Sequence, residues 1–187
     1  FRKIDYTPSA LKINGKVTPV NGVSLYHDRA AVGSALRTRH YDEDLAQIRD
    51  IGANAIRSVT APHSQYLYDC CDQNGTLVWI DTPFTRAPYL SDVFYYSTEK
   101  FKQNGLQQMR EVIIQNYNHP SICVWGLSNE ISIGGSDEDL LENHRILNDL
   151  VHEMDKTRLT TIAAVSPCPI DCDYIKIPDL VSYNHYF

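Results

Sequence analysis

Gly75-Thr76-Leu77-Val78-Trp79-Ile80-Asp81 decides how this chain is read: a glycine that closes a helix, four consecutive apolar residues, then a carboxylate. A run this short and this apolar fits a strand covered on both faces, as in a parallel sheet. Upstream, Ser64 caps a helix running to about Asn74, and Asn54 to Val59 supplies a strand before it. Further back, Asp42-Glu43-Asp44-Leu45-Ala46-Gln47-Ile48 has an N-cap and acidic first turn, Gly52 is its C′ residue, and Val20 to Leu25 is a strand. Leu11-Lys12-Ile13-Asn14-Gly15-Lys16-Val17 sets an Asn-Gly pair between alternating apolar residues and predicts a hairpin over about 10–19. Downstream, Leu106, Met109 and Ile113 mark the inner face of a long helix, and Ile122 to Leu127 repeats the apolar strand. Leu140, His144, Leu147, Val151 and Met154 recur at helical spacing before strands at Leu159 to Val165 and Leu180 to Tyr183.

Strands alternating with helices at these intervals imply right-handed βαβ units and a parallel sheet, doubly wound or closed into a barrel. No GxGxxG or GxxxxGK[ST] follows any strand, so the usual nucleotide-binding forms of the doubly wound sheet lack their fingerprint. A complete (β/α)8 barrel takes about 250 residues, about 31 per unit, so a chain of 187 residues holds about six units. The expected fold class is α/β: the first three quarters of a (β/α)8 TIM barrel, spanning 1–187.

Composition narrows the function classes. With 43% hydrophobic and 21% charged residues the chain is globular, and its apolar runs are far shorter than the roughly 18 residues that span a bilayer. A net charge of −6, with 17 Lys and Arg scattered, offers no stripe for a phosphate backbone, so neither nucleic acid nor membrane is an expected partner. Five cysteines, two adjacent at Cys70 and Cys71, do not form a disulfide framework, and Cys168-x-x-x-Cys172 lacks a second pair at zinc spacing; no metal is expected. The start, Phe1-Arg2-Lys3-Ile4-Asp5, is neither an initiator Met nor a signal peptide, so the chain reads as cut from a longer one. Its compartment is unassigned, with a soluble bacterial cytoplasmic or periplasmic setting expected.

Barrels carry their chemistry at the C-terminal ends of strands, and here those ends are polar. They read Tyr26-His27-Asp28, Arg57-Ser58-Val59-Thr60, Asp81, Ser128-Asn129-Glu130 and Asn184-His185-Tyr186. Plainer readings stand beside each: Asn129-Glu130 as a helix cap, Arg57 in an ion pair with Asp28 or Asp81, His27 as a loop histidine, Trp79 and Trp125 as core. The tyrosine-rich Tyr89 to Tyr96 suits an aromatic wall for a sugar face or a domain contact.

The segment Asn118-His119-Pro120-Ser121, an apolar strand, then Trp125-Gly126-Leu127-Ser128-Asn129-Glu130 resembles glycoside hydrolase family 2, the β-galactosidase, β-glucuronidase and β-mannosidase group. Further resemblances are Asn14-Gly15-Lys16, Asn21-Gly22-Val23, His27-Asp28, Asn54-Ala55-Ile56-Arg57, Tyr68-Asp69 with Asp72 and Gly75, and Val181-Ser182-Tyr183-Asn184-His185-Tyr186-Phe187. The resemblance implies Glu130 as acid/base, Asn129 on the sugar 2-hydroxyl, and sugar contacts from His27, Asp28, Arg57, Asp81, Asn184 and Tyr186. It implies a retaining exo-β-glycosidase acting without a cofactor on a carbohydrate substrate. It also implies a nucleophile on a seventh strand beyond the chain end, upstream β-sandwich domains, and any homo-oligomer forming through domains outside this stretch.

The chemistry agrees: one carboxyl must protonate a leaving oxygen and later deprotonate water, and a semi-buried Glu after an apolar strand suits that. β-Galactosidase-like activity is the leading expectation. Two positions depart from it, because many galactosidases of the family carry histidines where this chain has Tyr26 and Thr60. Two imidazoles fewer changes the set of groups reading the sugar hydroxyls, which keeps β-glucuronidase, β-mannosidase and a silent carbohydrate-binding barrel as alternatives.

Overall fold

The computed structural model describes residues 2–85, 98–132 and 138–186. The Tyr89 to Tyr96 stretch lies outside them. The elements in order are β1 (Ile4–Thr7), β2 (Ala10–Ile13), β3 (Lys16–Val17), β4 (Gly22–Tyr26), α1 (Thr38–Asp50), β5 (Ala55–Val59), α2 (Gln65–Asn74) and β6 (Leu77–Asp81). They continue with α3 (Glu99–Asn116), β7 (Ile122–Asn129), α4 (Glu138–Met154), β8 (Leu159–Val165), a 3-10 turn (Tyr174–Lys176) and β9 (Leu180–Asn184). The six strands β4 to β9 form one sheet in sequence order, and the fold class is the expected six parallel strands of a (β/α)8 barrel. No helix among the described residues is long and apolar enough to cross a membrane.

The chain divides into two compact units. The first comprises Phe1–Val59, His63–Trp79 and Asn118–Cys123. Its hairpin turns at Asn14 (φ 51°) and Gly15 (φ 79°), both left-handed, as the Asn-Gly signal requires. A strand not read from the sequence, β1, pairs antiparallel with β2, Ile4 opposite Ile13. Tyr6 on it donates its hydroxyl to the Cys123 carbonyl (2.5 Å), and the Arg2 guanidinium donates to the Ile122 carbonyl. Helix α1 starts at Thr38, not at Asp42, and its first turn contains no acidic residue. The Arg37 N–H is taken by His40 Nδ1 (3.0 Å), an imidazole standing in for the usual small polar cap. Ser64 does cap α2, and Gly75 ends it in the left-handed region (φ 72°).

The second unit comprises Thr60–Pro62, Ile80–Tyr117 and Val124–Phe187. Helix α4 turns Leu140, His144, Leu147 and Val151 inward, as their spacing predicts. Trp125 is core, 1% exposed, and its indole donates to Asp155 Oδ2 (3.0 Å) in the connection after α4. Asp155 also accepts from Arg158 (2.6 Å) and from the Thr157 backbone and hydroxyl. Burial alone would raise the Asp155 carboxyl, but these hydrogen bonds outweigh it and hold the group below the usual carboxylate range. Arg158 reaches on to the Tyr117 carbonyl (2.8 Å), so one buried cluster ties β7, α4 and the end of α3 together.

The pairing of β7 with β8 is irregular near its end. Between Gly126 and Asn129, three steps along β7 match two along β8, Thr161 to Ala163. This is a β-bulge, a device that re-aims side chains at strand ends.

Candidate active site

In the second unit the end of β7 is fixed by backbone and hydroxyl bonds. Thr82 Oγ1 donates to the Gly126 and Leu127 carbonyls (2.9 and 2.8 Å), Thr85 Oγ1 to the Asn129 carbonyl (3.0 Å), and Asn129 N–H to the Phe84 carbonyl (3.1 Å). Past the bulge the chain turns sharply: Glu130 has φ = 51°, a left-handed conformation uncommon for a residue with a Cβ, and its N–H donates to the Ala163 carbonyl (2.9 Å).

That turn delivers the Glu130 carboxylate to β9. Glu130 Oε1 accepts from Asn184 Nδ2 (2.8 Å) and from the Tyr186 hydroxyl (2.6 Å). Asn184 Nδ2 also donates to Asn129 Oδ1 (3.0 Å). Four residues singled out by the sequence, Asn129, Glu130, Asn184 and Tyr186, therefore form one hydrogen-bonded group. Glu130 is half-buried while Tyr186 is 66% exposed, and both of these donors meet the same carboxylate oxygen, Oε1. A carboxyl so placed can give and take a proton at a bound molecule. Asp81, also in this unit, is wholly buried at the end of β6.

His27, Asp28 and Arg57 belong to the first unit. Asp28 is exposed and His27 half-buried. The Arg57 guanidinium lies over the Trp79 ring, 4.5 Å from its centroid, so Trp79 is a half-buried stacking partner and not the core residue its apolar strand suggested. His27 stacks 5.0 Å from His63, a residue not picked out from the sequence. Burial, with a smaller contribution from His27, pushes the His63 imidazole down to about 4, against a hydrogen bond with the Leu25 backbone that raises it. His63 is thus neutral near pH 7. Nothing but its position after β5 could have flagged it.

One group among the described residues has metal-like spacing: Asp69, Asp72 and His119 bring ligand atoms within 4.8 Å of one another. His119 is already bonded to Asp72 (2.7 Å) and Gln65 (2.8 Å), and Asp72 accepts the Ser121 N–H (2.8 Å). The group is a tie between α2 and the start of β7, which gives the Asn118-His119-Pro120-Ser121 motif a structural task. The five cysteines are free thiols, with the Cys168 and Cys172 sulfurs 3.0 Å apart.

Residues 4–185 match the family model for glycosyl hydrolases family 2, TIM barrel domain. A β-glucuronidase of Bacteroides fragilis is 43% identical over 174 residues, 93% of this chain and 24% of its own length. A β-galactosidase of Thermoanaerobacterium thermosulfurigenes is 27% identical over 161 residues, 86% of this chain and 21% of its own. The crystal structure of an FMN-binding β-glucuronidase from Facaelibacterium prausnitzii L2-6 superimposes with a TM-score of 0.92 at 43% identity, covering all of this chain and 28% of that one. The chain spans about a quarter of the length of these curated relatives.

Proposed function

This chain belongs to glycoside hydrolase family 2, and on that premise we propose that it carries the acid/base half of a retaining exo-β-glycosidase that removes terminal β-glucuronic acid. The observation that carries the reaction is the Glu130 carboxylate, half-buried past the end of β7 and held on one oxygen by Asn184 and Tyr186. In this reading protonated Glu130 delivers its proton to the departing glycosidic oxygen and then, ionised, takes one from the attacking water. Retention needs a second carboxylate about 5 to 5.5 Å away as nucleophile, and in this reading that role falls to the seventh-strand residue which the family resemblance implies. Asn129 contacts the 2-hydroxyl, Asn184 and Tyr186 hold Glu130 and the sugar, and His27, Asp28, Arg57 and Asp81 contribute further sugar contacts.

The sugar follows from two supports. The 43% identity to a β-glucuronidase against 27% to a β-galactosidase moves the balance from the galactosidase expectation to the glucuronidase alternative. Tyr26 and Thr60, where many galactosidases have histidine, point the same way. Hydrolysis transfers no net electrons, so the reaction asks nothing of a flavin such as the one named for the F. prausnitzii relative.

The test is hydrolysis of aryl β-glycosides (glucuronide, galactoside, mannoside, glucoside) by the full-length gene product beside its Glu130→Gln variant. Turnover of the glucuronide, reduced by several orders of magnitude in the variant for a phenyl leaving group, is expected. Preferred turnover of galactoside restores the galactosidase expectation, and full activity of Glu130→Gln removes Glu130 from the mechanism.

A further inference from the structure

Ser128, His144 and Tyr174 are each wholly buried, yet each carries a group capable of chemistry. His144 Nε2 lies 2.8 Å from Ser128 Oγ, and Ser128 Oγ lies 3.0 Å from the Tyr174 hydroxyl. His144 Nδ1 lies 2.8 Å from the Leu140 carbonyl oxygen. A serine on a histidine suggests a nucleophile, but none of the three is open to a substrate.

The direction of every proton in this relay is determined. A carbonyl only accepts, so Nδ1 carries the hydrogen. Burial pushes His144 down to about 4, a hydrogen bond to Leu140 opposing it, so the ring is neutral and Nε2 is a bare acceptor. Ser128 must donate to it, and the serine oxygen must then accept from Tyr174, whose phenol burial keeps protonated. The relay runs from Tyr174 to Ser128 to His144 to the α4 backbone with no freedom to reverse. A network satisfied at each member fixes geometry in a way apolar packing does not.

Its location gives that rigidity a purpose. Ser128 sits within the bulge, two residues before Glu130. Thr82 and Thr85 hold the backbone of this strand end, and the Ser128 hydroxyl adds a side-chain link from it to both α4 and the 3-10 turn. We propose that His144 and Tyr174 are positioning residues for Glu130: by gripping the Ser128 hydroxyl they set the strand end from which the backbone turns left-handed and presents the carboxylate. This rests on the reading of Glu130 as acid/base.

The test uses the leaving group as the reporter. Departure of 2,4-dinitrophenol needs little proton assistance, whereas departure of phenol needs it fully. Full-length His144→Phe keeps an aromatic ring beside Phe84 and Tyr174 but removes the acceptor. A misplaced acid is expected to lower kcat/KM for the phenyl β-glycoside about ten- to hundredfold and for the 2,4-dinitrophenyl β-glycoside less than about threefold. The sugar is the one the substrate panel identifies, glucuronide being expected. His144→Gln, which offers an oxygen near the place of Nε2, should recover the wild-type ratio. Ser128→Ala, a smaller change that leaves the ring in place, should reproduce the selective loss, so the outcome does not depend on His144→Phe folding well. Equal losses on both substrates, or an unaltered ratio in both His144→Phe and Ser128→Ala, overturn the proposal while Glu130→Gln still loses the phenyl substrate. If Glu130→Gln itself keeps the phenyl substrate, the acid/base reading has failed first.

Discussion

Glu130 occupies a backbone conformation that costs a residue with a Cβ roughly 1–2 kcal/mol. The cost is offset locally, by its N–H on Ala163 and by the two donors on its carboxylate. Hydrogen bonds to a charged group are worth about 1.5–3 kcal/mol when shielded, but Tyr186 is largely exposed, which puts its contribution at the low end or below. Tyr186→Phe is therefore expected to lower kcat/KM for a phenyl β-glycoside several-fold, and Asn184→Ala, which also removes a donor to Asn129 Oδ1, more. Wild-type kinetics in Tyr186→Phe would remove that hydroxyl from the site. The residue types of this group were legible in the sequence; the left-handed turn was not, because Glu carries no signal for it and the bond to Ala163 that holds it is made across strands.

At the scale of elements, two buried or half-buried carboxylates add polar ties to β7 beside its strand pairing. Asp72 fixes its start through His119 and Ser121, and Asp155 fixes Trp125 within it. Asp155→Ala leaves Arg158 buried without its carboxylate and should cost about 3–5 kcal/mol, read as a lower denaturant midpoint for the domain's transition in the full-length protein. The Asp155 carboxyl is held below its ordinary range, so its contribution is complete above about pH 4 and is lost as pH falls through the lowered folded value. An acid midpoint in Asp155→Asn unaltered from wild type would show that the carboxylate adds nothing. Elements bounded by local chemistry were readable: Asn14-Gly15, Ser64 and Gly75 each act within a few residues of themselves. Strand β1 and the start of α1 were not. The first exists by pairing with β2, and the second is capped by His40, a residue type that helix-start rules do not select.

For the molecule as a whole, two neutral histidines make stability depend on pH in a range where carboxylates do not. Unfolded imidazoles bind protons near pH 6.5, whereas His63 and His144 resist until about 4 when folded. Between those values the unfolded state binds more protons, so stability falls as pH drops from about 6.5 and the loss is complete near 4. The melting temperature of the full-length protein is expected to decline from pH 7 to pH 5, and His144→Phe to flatten that decline. An identical slope in wild type and variant would exclude His144 as its source. The alternation of strands and helices was enough to reach a parallel sheet, since each βαβ unit announces itself by its own periodicity, and the missing glycine-rich fingerprint with the residues per unit turned that sheet toward the barrel. It failed where counting by twos failed. Odd and even positions of a strand face opposite ways, so by simple parity Trp125 and Asn129 share one side and Ser128 takes the other. The extra residue on β7 breaks that parity. Trp125 and Ser128 now both look toward α4 and the connection after it, meeting Asp155 and His144, while Asn129 meets Asn184. A single uncounted residue thus sorts one strand's end into a side anchored on α4 and a side turned to β9, a division no alternation of apolar and polar letters could encode.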